Sequence, residues 1–320
     1  MDFPVKKAFV LAAGLGTRLR PLTSVRPKPL LPIFGKPVVT FALDHLRSIG
    51  VESFVINTHH LAPQFDDFFS SGEYAGCPVK LVYEPDVLET GGGIKNAEQW
   101  IGDEPFIVYS GDIFTDIDIG ALVEEHFTQK NDVTLALRKT GLSTSIALKD
   151  RRIVDIRGKY GQPGEYDFAN VSVWNPGIFQ RIPAGKKISF VPVLVDWIAQ
   201  GGRIGGLALE DRQWFNIGSR NEYLAVHRYI AEKTWKPAYV AAQDWPVAIN
   251  PAASIAPSAR LEGFCAVGEG CVIGDNAVIE DSILWPGTKV AAGAHLKSCV
   301  VAGSVVISGG HDNVDFTDTP

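Results

Sequence analysis

Nowhere in the chain do two cysteines stand in C-x-x-C spacing, and there are four cysteines in all: Cys77, Cys265, Cys271 and Cys299. A zinc ribbon and a thioredoxin-like redox site are therefore unsupported. A chain of 320 residues does not need disulfides to fold, so the four read as reduced, buried thiols of a cytoplasmic protein. No run of about 18 apolar residues occurs, so no transmembrane helix is expected. The opening MDFPVKKAFVLAAG imitates a secretory signal only faintly, because its apolar run is short and Arg18 and Arg20 follow at once. An excess of positive charge is also lacking. The net charge of −6 argues against a general nucleic-acid or membrane-surface binder. Two nucleotide motifs are missing as well. A G-x-G-x-x-G would need glycine where Leu19 stands, and no G-x-x-x-x-G-K-[ST] is present.

What is there is ordinary globular composition, 46% hydrophobic and 21% charged, with room for one large domain and a smaller one. The stretch LAAGLGTRLRPLTSVRPKPLLP over 11–32 follows an apolar run at once. Its glycines let backbone N–H groups approach an anion closely. Arg18 adds a forked donor suited to phosphate oxygens. Lys28 lies between two prolines, so its backbone is stiff and its ammonium can be aimed. Cations in a solvated turn are the plainer reading, and it would hold for a lone G-x-G.

Lys7 to Ala12 reads as a buried strand, 37–49 as a helix, 53–58 as a strand, 62–69 as a short helix and 79–83 as a strand. A glycine-led helix over about 91–101 and a strand over 105–110 follow. This alternation predicts an α/β domain with a largely parallel sheet and ligands beyond the carboxyl ends of its strands. After 132 the pattern loosens. TLALR, SIALK, RIVDI and FANVSVW read as strands and 189–200 as a helix. Ser219 and Glu222 fit a capping box opening a helix to about Lys233. From Ile255 the period changes: Ile255, Leu261, Val267, Ile273 and Ile279 recur every six residues, with small residues four further on except at Ile283. After a one-residue slip near Trp285 the register resumes at Leu284, Val290 and Leu296. Such repeats predict a β-helix of roughly three turns, each short strand placing one aliphatic side chain inside a prism.

The opening stretch resembles the signature of the sugar-nucleotide pyrophosphorylases, the nucleoside-triphosphate:sugar-1-phosphate nucleotidyltransferases. The resemblance continues at Glu89-Thr90-Gly91-Gly92-Gly93, Ser110-Gly111-Asp112 and Trp214-Phe215-Asn216-Ile217-Gly218, and covers about 1–230. It implies a Rossmann-like nucleotidyltransferase domain with a mixed, mostly parallel sheet, followed by a short left-handed parallel β-helix. The expected layout is 1–233 for the first, 234–254 for a connection, 255–308 for the β-helix and 309–320 for a tail. It also implies the reaction: a sugar-1-phosphate oxygen attacks the α-phosphorus of a nucleoside triphosphate, and pyrophosphate leaves.

On this resemblance Arg18, Lys28 and Asp112 are the candidate catalytic residues. Leu11, Ala12, Ala13, Gly14, Gly16, Thr17, Arg18 and Lys28 would line the triphosphate, Glu84 would read the base, and Gly91 and Gly92 would open a helix near base and sugar. Gly111, Lys159 and Asn170 would meet the sugar phosphate. Asp112 and Asn216 would hold Mg2+, a hard cation suited to carboxylate and water. Asn216 departs from the family's usual aspartate, which predicts weaker Mg2+ binding. The catalytic motifs look most like N-acetylmuramate-1-phosphate uridylyltransferases, the two-domain layout more like mannose-1-phosphate guanylyltransferases. Two other classes stand beside the enzyme: a catalytically weak sugar-nucleotide-binding subunit, motivated by Asn216, and a hexapeptide acyltransferase, for which only His295 and His311 lie in this C-terminal region. The β-helix is expected either to cover one end of the catalytic domain or to join subunits of a homo-oligomer.

Overall fold

Lys7–Leu11, Ser53–Thr58 and Phe106–Ser110 are short apolar runs buried on both faces, the pattern of interior strands in a parallel sheet. They belong to a ten-stranded sheet in the computed structural model, which describes residues 4–141, 145–240, 243 and 245–318. Residues 1–3 of the opening stretch, 241, 242 and 244 of the expected connection, and 319–320 of the expected tail lie outside the described residues. The strands are β1 (Lys7–Leu11), β2 (Ser53–Thr58), β3 (Glu73–Tyr74), β4 (Cys77–Tyr83), β5 (Phe106–Ser110), β6 (Val133–Arg138), β7 (Ile146–Lys149), β8 (Arg152–Ile156), β9 (Asp167–Trp174) and β10 (Ile204–Ala208). Their order is β7-β8-β10-β6-β9-β5-β1-β2-β4-β3. The sheet is mixed, and its centre, β5-β1-β2-β4, is parallel.

By contacts, the chain up to Gly14 together with Phe41–Trp214 forms one compact unit, and Leu15–Thr40 together with Phe215 onward forms another. In the first, Phe9, Phe106, Trp174, Phe190 and Trp197 lead a continuous buried core. Several elements of this unit carry no expectation from the sequence, and two of them are substantial. These two are the helix Ile119–Thr128, capped by Asp118 on Ala121 N, and strand β10, whose Ile-Gly-Gly-Leu-Ala dilutes its apolar signal.

In the second unit, the six-residue spacing becomes a stack of parallel rungs compatible with a β-helix. Pairing partners lie three repeats apart, Ile255 with Ile273 and Leu261 with Ile279. Val267, Ile273, Ile279, Leu284, Val290, Leu296, Val301 and Ile307 fill its interior with Cys265, Cys271, Ala277, Ala294 and Cys299. The one-residue slip lies at Asp281 rather than at Trp285. Gly263 and Phe264 on one rung stand opposite that single residue on the next. Ser282, fully buried, therefore takes the small position, and Ile283 lies with Ala266 and Val300 on the other face of the same strands. Rungs continue through Gly310–Asp312 and Asp315–Thr317, where His311 and Phe316 replace the aliphatics and hide the repeat. The corner residues Gly263, Asp281, Ser298 and Asn313 all adopt left-handed backbone, one above another.

The helix Arg220–Lys233 packs on the rungs Arg260–Val267 and Val278–Leu284. Its buried Tyr223 joins Pro32 O to Trp285 Nε1, and Trp245 Nε1 donates to Ile33 O at 3.0 Å. His227 is fully buried, with Nδ1 on Tyr223 O at 2.8 Å, and desolvation holds its pKa down at about 4.

Two outcomes follow for stability. Ile279→Ala, inside the prism, should cost about 2–4 kcal/mol, whereas Val272→Ala, on its exposed face, should cost under about 0.5 kcal/mol, read as urea midpoints. Because His227 is depressed from 6.5 to about 4, its contribution is complete above pH 6.5 and is lost as pH falls toward 4. Between pH 7 and pH 5 this one group should remove about 2 kcal/mol of unfolding free energy, and His227→Asn should flatten that slope.

Candidate active site

Strand register sets the level of the site. Leu11 stands opposite Asn57 on one side and Ser110 on the other, so three parallel strands end in one row. Just past that row the backbone turns through Ala12–Gly14, and Gly111 N donates to Leu11 O at 2.8 Å. A cleft of about 200 Å3 opens there, lined by Leu11, Ala13, Gly14, Asn57, Glu84, Val87, Glu89, Thr90, Ser110 and Asp112. Five of the expected residues thus come together: Leu11, Ala13, Gly14, Glu84 and Asp112.

Asn57 holds this row in place, and the sequence reading missed it. Its Oδ1 accepts from Ala12 N at 2.7 Å and its Nδ2 donates to Glu84 Oε1 at 2.8 Å. The available signal was a polar residue near the end of an otherwise apolar strand. Glu84 is fully buried; its other carboxylate oxygen accepts from Leu88 N at 2.9 Å, and its backbone carbonyl meets His59 Nδ1 at 2.8 Å. Both carboxylate oxygens are therefore engaged within the chain. Burial pushes the Glu84 carboxyl above its ordinary 4.5, with the Leu88 and Asn57 donors pulling the other way.

The glycine triplet has a packing role. The helix Glu89–Asn96 buries Gly91, Gly92 and Gly93. A Cβ on Gly91 would lie 2.8 Å from Ile188 O, and one on Gly93 would lie 2.9 Å from Asn57 Nδ2 and 3.0 Å from Glu84 Oε1. Gly92 N donates to Ile188 O at 2.9 Å. Gly91 and Gly92 thus back onto residues 186–190, while Glu89 and Thr90 face the cleft.

Lys159 is exposed, on a loop wound around buried Asp155, whose Oδ2 accepts from Tyr160 N at 2.8 Å and Gln162 N at 3.0 Å. Asn170 sits in left-handed backbone where β9 slips register against β6, beside a cavity of about 90 Å3 lined by Leu135, Ile146, Ile156, Asp167, Phe168, Phe190 and Val191.

In the second unit the rest of the signature is a tight turn. Gly16 is left-handed, its carbonyl accepts from Thr23 Oγ1 at 2.8 Å, and a Cβ there would lie 2.8 Å from Thr23 and 3.3 Å from Lys28 Cβ. A side chain at 16 is excluded on both counts. Thr17 and Arg18 are exposed on the following 3-10 turn, and Lys28 is buried. Asn216 Nδ2 donates to Glu222 Oε1 at 3.2 Å, which leaves its Oδ1 facing away from that bond.

Among the described residues no three His, Cys, Asp or Glu side chains gather as a metal cage. Mg2+ is usually held by one or two carboxylates, with substrate phosphates and water completing its shell. Asp112, a hard oxygen donor lining an open cleft, fits that mode.

Glycine-lined backbone and the Asp112 carboxylate at parallel strand ends can take an anion and a hard cation together, as phosphoryl-transfer enzymes do. Comparison with known proteins narrows this class. The chain belongs to the nucleotidyl transferase family, which it matches over residues 7–233. It is 27% identical over 293 residues to the mannose-1-phosphate guanylyltransferase of Mycobacterium tuberculosis, covering 89% of this chain and 81% of that one. It is 32% identical over 219 residues to the N-acetylmuramate α-1-phosphate uridylyltransferase of Neisseria meningitidis, covering 67% and 93%. In fold it resembles a putative glucose-1-phosphate thymidylyltransferase from Bacillus anthracis, with a TM-score of 0.63 and 21% identity, over 73% of this chain and 98% of that one.

Asn57→Ala should cost about 2–4 kcal/mol, since it strands Ala12 N–H and removes a donor from a buried carboxylate. The sign with pH follows from Glu84. Its raised pKa means that its share of stability is intact below about 4.5 and falls as pH rises through the raised value. Asn57 offsets that fall by bonding the ionised form. The gap between wild type and Asn57→Ala should therefore be wider at pH 8 than at pH 5, as urea unfolding would measure.

Proposed function

We propose that the protein joins a nucleoside triphosphate to a sugar-1-phosphate, giving an NDP-sugar and pyrophosphate. The observation that carries this reading is the cleft at the ends of β1, β2 and β5, where Asp112 lines the same space as Gly14. Family membership supports it.

An oxygen of the sugar-1-phosphate attacks the α-phosphorus, a new P–O bond forms, and the bond from the α-phosphorus to the α,β-bridging oxygen breaks. The leaving pyrophosphate keeps that electron pair. Such a transfer asks chiefly for alignment and charge neutralisation. Backbone over 11–14 with Gly16 and Thr17 lies along the triphosphate, Arg18 takes the pyrophosphate end, and Lys28 neutralises the phosphates nearer the reacting phosphorus. Asp112 and the amide oxygen of Asn216 would hold Mg2+, which when bound would supply positive charge to the phosphates. Lys159 and Asn170 receive the sugar phosphate, with Gly111 leaving room beside Asp112. Glu84 shapes the base-side loop by anchoring Leu88 N, so base contact falls to the loop 85–90 itself. Two substrate pairs fit the relatives: GTP with mannose-1-phosphate, and UTP with N-acetylmuramate-1-phosphate.

The test is pyrophosphate release across five nucleoside triphosphates and about six sugar-1-phosphates. One pair should turn over, and Asp112→Asn should slow it by about 10²-fold or more. Asn216→Asp should lower the Mg2+ concentration needed for half-maximal rate. Tight nucleotide binding with no turnover of any pair would instead favour a non-catalytic binding subunit.

A further inference from the structure

Arg220 is the first residue of the helix that follows the turn Asn216–Ser219. Its side chain does not reach into solvent; it is 19% exposed and its partner Asp315 only 7%. Nε donates to Asp315 Oδ1 at 2.6 Å, Nη1 to Asn313 Oδ1 at 2.6 Å, and Nη2 to the backbone oxygen of Ser298. Ser298 and Asn313 are corner residues of two successive rungs, both in left-handed backbone. One planar guanidinium thus reads two levels of the prism at once, which a single-point ammonium cannot do.

The other side of the same turn carries phosphate-site groups. A Cβ on Gly218 would collide with Asn216 Nδ2, and would lie 2.9 Å from Arg18 Nη2 and 3.0 Å from Glu222 Oε2. Arg18, Asn216 and Glu222 therefore converge on the residue two places before Arg220. A second tie runs parallel to the first. Arg26 of the signature stretch lies 5.1 Å from the ring centroid of Trp285, whose Nε1 donates to Tyr223 OH at 3.2 Å. The segment Leu22–Val25 also packs on the rung Asp315–Thr317.

We propose that Arg220 and Asp315 are a positioning pair, through which the last rungs of the prism set the turn 216–219 and, with it, the placing of Arg18 and Asn216 against the pyrophosphate end of the substrate. This rests on the function proposed above. It makes the prism a working part of the phosphate site, beyond any role as a cover or a subunit joint. An exposed ion pair would be worth little, but this one is largely buried, so removing either partner leaves a charge without its fork.

The experiment uses the full chain and a probe that needs no knowledge of base or sugar: calorimetric binding of inorganic pyrophosphate in excess Mg2+. The variants are Arg220→Lys, Arg220→Met, Asp315→Asn, the double Arg220→Met/Asp315→Asn, and the mild Asn313→Ala, which removes one acceptor. Pyrophosphate Kd should rise about tenfold in Arg220→Lys and Arg220→Met and about threefold in Asn313→Ala, with the double variant no worse than the worse single. For the pair that wild type turns over, KM for the triphosphate should rise in step while KM for the sugar phosphate stays within about twofold. A fall in the urea midpoint with unchanged pyrophosphate affinity and unchanged KM would overturn the proposal and leave the pair purely structural. If wild type itself neither binds Mg-pyrophosphate nor turns over any pair, the proposed function fails and the positioning role fails with it.

Discussion

The amide of Asn57 is the constraint on which the cleft depends. Parallel strands bring their carboxyl ends to one level, but the chain must then leave the sheet at three places without losing its hydrogen bonds. Asn57 meets two of those demands at once, accepting from Ala12 N and donating to Glu84. Glu84 passes the restraint on to Leu88, and the helix behind it must come so close that Gly93 has no room for a Cβ. A buried carboxylate is tolerated there because donors surround it, and its cost is the reason the arrangement is specific. The open side of the cleft is left to Asp112, Glu89, Thr90 and Ser110.

The second unit obeys a different constraint. Its prism has an apolar outer face, Ala266, Ile283 and Val300, that water would make unstable. The helix Arg220–Lys233 packs on those strands, and the signature segment is fastened to that helix through the Tyr223 hydroxyl. Arg18 and Lys28 therefore share a compact unit with the rungs, although Phe41–Trp214 of the other unit lies between them in the chain. Reduced thiols suit this prism: Cys265, Cys271 and Cys299 fill small interior positions, and burial raises their pKa values, which keeps them unreactive.

Legibility followed the strength of the local pattern. Strands buried on both faces, such as Phe106–Ser110, stand out as apolar runs, and Ser219 announces its helix by a cap whose side chain does accept from Glu222 N. Strand β10 escaped notice because two glycines interrupt it; its place is dictated by neighbours, with Asn131 filling the space a side chain at Gly205 would need. The last rungs escaped notice because His311 and Phe316 break the aliphatic repeat. The ETGGG stretch looked like a ligand loop, since local sequence cannot distinguish a glycine that admits a ligand from one that admits a neighbouring backbone.

What the sequence by itself determined is whatever a short window of side chains can encode: the alternation of an α/β domain, the six-residue period of the prism, and a glycine-rich cationic turn with its family resemblance. Tertiary structure alone decided the partners of polar groups. Glu84 became an internal anchor, Asn57 its keystone, and Arg220 a fork into rungs 78 to 95 residues away. The reason is physical. Hydrophobic periodicity is a property of neighbours in the chain, whereas the bonding of a buried polar atom depends on which distant donor or acceptor folding brings within about 3 Å.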